Sequence, residues 1–297
     1  MGLCLLLVSS RLVVLKRSGC KTSINQENSG DSWTKTGFDL NGTKPSAGNQ
    51  LGNPAFPGLT TSGGPNWVGD LVRFNSELLV YNFASAGATI DASLVAPTVT
   101  DALSFVDQVS EFTSNLVPPP EYAPWVSNST LFAIWIGNTD VILAWNQSDW
   151  STLSQKLIDS YFQQVELLYA AGARNFVFAE VPPIERTPAM LQQSAAERQA
   201  LAAAIAVFNN LLNNETTSLV DSKMDGQQYS PSPVGFAQVV DTQDGFNVML
   251  DEAGTANASC YNPDGVTCMW VDEWNPGQTL HSIVETYITF IGALYSS

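Results

Sequence analysis

The sequence predicts an α/β protein, a three-layer α/β/α sandwich around a mostly parallel sheet. Three observations predict it. Short apolar runs alternate with longer amphipathic stretches along the 297 residues, as β–α units require. The run at residues 130–137 (TLFAIWIG) is almost wholly apolar, as a strand covered on both faces must be. No repeat or low-complexity tract breaks the alternation.

Strands are expected at 77–84 (ELLVYNFA), 130–137, 174–181 (RNFVFAEV, ended by Pro182 and Pro183) and 236–241 (FAQVVD). Helices are expected between them. Residues 66–74 follow Pro65. In 101–116, Leu103, Val106, Val109 and Phe112 recur at helical spacing, and Pro118 lies just beyond. Residues 151–171 are amphipathic, with Gly172 as a stop. Residues 195–216 are rich in Ala and Leu. Residues 277–294 carry Leu280, Ile283, Val284, Tyr287, Ile288 and Ile291 on one face. Residues 23–29 (SINQENS) are polar, so no strand is expected before Gly30.

Composition narrows the function. Hydrophobic residues make up 44% and charged residues 13%, enough for a sizeable core. The formal net charge of -16 repels phosphate backbones and anionic lipid headgroups. Nucleic acid and membrane surfaces are therefore excluded as partners, whereas a neutral substrate is not. No metal, nucleotide or flavin motif is present, so no cofactor is expected.

Cys260 and Cys268 flank a turn containing Pro263, Asp264 and Gly265, which suits a short disulfide. Closing so small a loop stabilises by roughly 2–3 kcal/mol on the chain-entropy model. Sequons at Asn41, Asn128, Asn146, Asn214 and Asn257 point the same way, towards secretion. Residues 2–10 (GLCLLLVSS) resemble a signal-peptide core but lack a preceding basic residue and a small-x-small cleavage site. Residues 1–29 are thus set apart as an atypical N-terminal segment, either a poor signal peptide or a misread gene start. Residues 30–297 form the predicted domain.

In open parallel sheets, active groups collect beyond the carboxyl ends of the strands. Several motifs lie there. Gly30-Asp31-Ser32-Trp33 comes first. Asn82-Phe-Ala-Ser-Ala-Gly87 follows the strand at 77–84, and Gly87 permits a turn in which an N–H approaches a ligand. Gly137-Asn138-Thr139-Asp140 follows the most apolar strand. Asp272-Glu-Trp-Asn275-Pro276 precedes the last helix, where Pro276 suits the first turn.

With the 174–183 segment, these blocks resemble, in order, those of SGNH (GDSL) hydrolases. The resemblance is to the fungal carbohydrate esterases of family 16, which are acetylesterase-like. It implies a flavodoxin-like sheet and ester hydrolysis by a secreted monomer, with an acylated sugar or small ester as substrate. By the resemblance Ser32 is the nucleophile. The N–H groups of Ser32 and Gly87, with Asn138 or Thr139, form the oxyanion hole. The family motif D-x-x-H-P places Asp272 as the orienting acid and puts Asn275 in the histidine's slot. An amide has no titratable nitrogen near neutrality and cannot act as general base.

The chain's one histidine, His281, lies six residues beyond Asn275 and is the alternative base. Six residues of helix span roughly 9 Å, too far for a short proton transfer without rearrangement. Two other readings remain: a non-catalytic sugar-binding relative, and a lipid acyl hydrolase of the same superfamily. The sugar reading expects Trp33, Trp67 or Trp274 exposed near Ser32, although all three also suit the core, Trp67 above all.

Overall fold

A computed structural model describes residues 24–224 and 235–295. The apolar run at 2–10 lies outside them. Among the described residues five strands form one sheet: β1 (Ile24–Gly30), β2 (Leu78–Asn82), β3 (Thr130–Trp135), β4 (Asn175–Ala179) and β5 (Phe236–Val240). Their order is β2-β1-β3-β4-β5, and every pair is parallel. This is the expected flavodoxin-like order.

The helices are α1 (Trp67–Phe74), α2 (Phe105–Leu116), α3 (Asn138–Ala144), α4 (Trp150–Ala171), α5 (Pro188–Leu191), α6 (Ala195–Met224), α7 (Thr242–Glu252), α8 (Gly254–Ser259) and α9 (Gln278–Tyr295). One layer packs α2 on α4 and α4 on α6; the other packs α1 and α7 on α9. Among the described residues no helix is long and apolar enough to cross a membrane.

Local chemistry explains the boundaries. Helix α2 begins later than the periodicity suggested because Ser104 and Asp107 close a capping box there. Helix α4 ends at Gly172, whose φ of 116° lets the chain turn out of the helix. All six residues of β3 are buried. Its Phe132 meets Phe112 and Trp125 edge-on and Phe176 in a tilted contact.

One expectation is corrected. The polar segment before Gly30 is a strand, and it occupies the sheet between β2 and β3. Backbone pairing on both sides supplies the order that its residue types do not favour, since ladder hydrogen bonds are indifferent to side chains.

Candidate active site

The serine loop is built at the carboxyl end of β1. Gln108, buried on α2, accepts from the Gly30 N–H (2.9 Å) and donates to the Gly30 carbonyl (3.0 Å). The Ser85 N–H donates to the same carbonyl at 3.0 Å, tying the turn after β2 to the end of β1. Beyond Gly30, side chains hold the loop by its carbonyl oxygens. The Thr61 hydroxyl donates to Ser32 O at 2.9 Å. The Asn66 amide donates to Thr34 O and Lys35 O at 3.0 Å. The Asn82 amide donates to Thr34 O at 2.8 Å. Each bond satisfies a carbonyl that regular structure leaves free. Ser32 emerges half-buried, while its neighbours Asp31 and Trp33 are buried.

Asn275 faces the serine. The Ser32 hydroxyl donates to Asn275 Oδ1 across a long 3.5 Å. Asn275 Nδ2 donates to Asp272 Oδ2 at 2.8 Å. Asp272 Oδ1 accepts from the Trp274 and Asn275 N–H groups at 2.8 and 2.7 Å. The turn closes through Val271 N–H to Asn275 O at 2.8 Å. Ser32, Asn275 and Asp272 therefore form one relay of side-chain hydrogen bonds.

The Cys260–Cys268 disulfide is present, with Cα atoms 5.6 Å apart. The segment it closes is tied to the start of α9 by Gln278 N–H to Gly265 O at 2.8 Å. The chain just beyond it is tied there too, by Gly277 N–H to Met269 O at 2.8 Å. Gln278 also bridges that segment to the 61–64 loop, through Asp264 O at 3.1 Å and Gly63 O at 3.3 Å. The loops carrying Thr61 and Asn275 thus share one brace.

Gly87 and Gly137 set the other walls. Gly87 has φ of 73°, and a side chain there would strike Val99. Gly137 has φ of 114°, and a Cβ would lie 2.6 Å from the Phe208 ring. Its left-handed turn starts α3, so Asn138 opens the helix. Asn138 is buried beside Asp31, yet neither amide atom forms a well-made hydrogen bond among the described residues. Thr139 is half-buried. Asp140 accepts from the Ile90 N–H with both oxygens at 3.1 Å, joining the second and third motif loops.

Two buried carboxyls lie behind the serine. Desolvation pushes Asp31 up to about 7, against the N–H of Trp33 and the neighbouring Asn138 amide, which pull it down. Desolvation pushes Asp140 up to about 8, opposed by the Ile90 N–H and reinforced by the nearby charges of Asp31 and Asp91. Both are protonated in mildly acidic medium.

His281 stands apart from the relay. It is fully buried on α9, edge-on to Trp135 with ring centroids 6.4 Å apart. Neither ring nitrogen has a hydrogen-bond partner among the described residues. Burial lowers its pKa to about 3, so the ring is neutral. The tryptophans divide between core and site. Trp33 packs in the core, stacked on Phe246 and edge-on to Trp135, because the loop turns it inward behind Ser32. Trp67 is also core, and only Trp274 is half-exposed near the site.

Gln108, Thr61, Asn66, Asp31 and Asp140 were not singled out from sequence. A glutamine directly before Val109 on the apolar face of α2 was a usable signal, since a polar residue there needs a buried partner. The hydroxyl of Thr61 offered none.

A protein named acetylesterase from Thermothelomyces thermophilus is 45% identical over 261 residues, covering 86% of this chain and 83% of that protein. An α/β hydrolase enzyme from the metagenome of Lake Arreo, Spain, superposes with a TM-score of 0.50 at 16% identity, covering 92% of this chain and 96% of its own. A lipolytic protein of the G-D-S-L family from Veillonella parvula gives a TM-score of 0.48 at 11% identity, covering 91% and 96%. The model of the GDSL-like lipase/acylhydrolase family matches residues 28–283, and the chain belongs to that family of ester hydrolases.

Proposed function

We propose that the chain is a secreted, monomeric carbohydrate acetylesterase whose triad lacks its base, so that it turns over slowly. The observation that carries this is the relay from Ser32 through Asn275 to Asp272. Asn275 makes both bonds that an imidazole would make there, accepting from the hydroxyl and donating to the carboxylate. It cannot hold the proton that leaves Ser32 during attack, because an amide oxygen is too weakly basic. Ser32 is the nucleophile and Asp272 the orienting acid. The N–H groups of Ser32 and Gly87 face the oxyanion, with the Asn138 amide as third donor. Asn138 is preferred to Thr139 because it opens α3 directly at the Gly137 turn, beside Asp31. The acetylesterase relative supports the acetyl group, and the five exposed sequon asparagines support secretion and glycosylation. The acidic surface favours a neutral sugar over nucleic acid or membrane.

A second reading, a sugar-binding relative that does not cleave, is favoured by the same Asn275. Hydrolysis of 4-nitrophenyl acetate by wild type, Ser32→Ala and Asn275→His separates the two. The esterase reading expects slow wild-type turnover that Ser32→Ala removes. Wild-type turnover that survives Ser32→Ala, or that vanishes with His281→Ala, would overturn it. Longer acyl esters preferred over acetate would place the chain with the lipid hydrolases.

A further inference from the structure

We propose that the cavity walled by Lys35, Phe38, Leu59, Phe83, Leu103 and Glu111 is a subsite for the sugar units next to the acetylated one. The inference rests on the carbohydrate reading above and deepens it. The cavity holds about 370 Å³ and lies at the carboxyl edge of β1 and β2. It adjoins the serine by three routes, one along the chain and two through hydrogen bonds. Lys35 is three residues beyond Ser32, so their Cα atoms are at most about 11 Å apart. Leu59 stands two residues before Thr61, whose hydroxyl holds Ser32 O, and its own N–H donates to Thr36 O at 2.8 Å. Ser85, on the same wall, bonds Gly30 O and stands two residues before Gly87.

The lining fits a neutral oligosaccharide. Leu59 and Leu103 are 64% and 41% exposed, and with Phe38 and Phe83 they offer apolar faces for the C–H side of a pyranose. Lys35 offers donors to ring hydroxyls, while Glu111 and Asp39 offer acceptors. Among the described residues the Lys35 ammonium and the Glu111 carboxyl have no hydrogen-bond or ion-pair partner. Burial, and then the charge of Asp39, raises the Glu111 pKa, so its carboxyl is under-solvated as it stands. A long acyl chain in this cavity would strip water from those charged groups and return nothing.

Titration calorimetry with xylotetraose and cellotetraose tests the subsite, using wild type, Glu111→Ala and Leu59→Ala, each checked for unchanged melting. At least one tetrasaccharide should bind the wild type, and Glu111→Ala should weaken it about tenfold or more, as loss of a charged hydrogen bond does. Leu59→Ala should weaken it by a smaller factor. The proposal is overturned if neither tetrasaccharide binds, if both variants bind as wild type does, or if decanoate fills the site in their place. The ester 4-nitrophenyl acetate carries no sugar unit and so makes no demand on the cavity. Its hydrolysis without tetrasaccharide binding would therefore sink the subsite and leave the esterase reading standing.

Discussion

The Ser32 loop and the 272–275 turn face each other across 3.5 Å and are held by different means. The serine loop is clamped from within the fold. Gln108 brackets Gly30, and Thr61, Asn66 and Asn82 take up the carbonyls beyond it. The opposing turn is held by its own Asp272, by the start of α9 and by a disulfide-closed segment nearer the surface. Both keep a hydrogen-bonding group aimed at the partner. On the proposed function, only the serine side keeps the group that its chemistry requires. On that same reading, geometry and proton affinity are separable: an amide makes the loop's two side-chain hydrogen bonds but has no basic nitrogen to take a proton.

The sharpest way to break this comparison is Asn275→His. If the turn is already correctly shaped, kcat/KM for 4-nitrophenyl acetate should rise by about 10³-fold or more, the order that a triad member contributes. A gain below tenfold would mean that the turn is misplaced as well as chemically silent. Next is Gln108→Leu, which removes two buried bonds to Gly30. It should cost about 2–4 kcal/mol in urea unfolding, and a change under about 0.5 kcal/mol would deny that the serine side is clamped from within. Replacing Cys260 and Cys268 together by serine should lower stability by roughly 2–3 kcal/mol. It should also reduce the activity restored by Asn275→His more than it disturbs the serine loop. Equal thermal stability of the double variant would remove the brace from the account.

The smallest effect is on pH. Asp31 and Asp140 have folded pKa values raised to about 7 and about 8, above the ordinary carboxyl value. The folded state therefore holds protons that the unfolded chain has released, and stability falls as pH rises. Glu180, also raised to about 7 by partial burial, acts in the same direction. His281 opposes them, but only below its unfolded pKa near 6.5, because its folded pKa is about 3. Between pH 6.5 and 8 the slope belongs to the carboxyls, up to about 1.4 kcal/mol per pH unit for each of the buried Asp31 and Asp140, and less for Glu180, which solvent screens. Asp140→Asn should flatten it in melting curves recorded across that window, and an unchanged slope would show that Asp140 is ionised in the folded protein.

Much of this could be read from residue order. β3 declared itself by its apolar run and α9 by its stripe, while the motif loops fell where a parallel sheet puts them. β1 did not, because its polar residues say nothing of the two neighbours that pair with its backbone. The glycine turns were legible, but that Asn138 rather than Thr139 opens α3 needed the left-handed turn at Gly137. The clamps were hidden for another reason. A side chain that serves a distant carbonyl leaves no periodic trace, and Thr61 and Asn66 reach Ser32 and Lys35 across 29 and 31 residues of chain.

The burial of His281 has a practical consequence. It is the single imidazole in the chain and is walled off from solvent. An Asn275→His protein would therefore carry one water-facing ring against a silent background. Its proton resonances could be followed through a titration without assignment, giving the restored group's acidity directly beside Ser32.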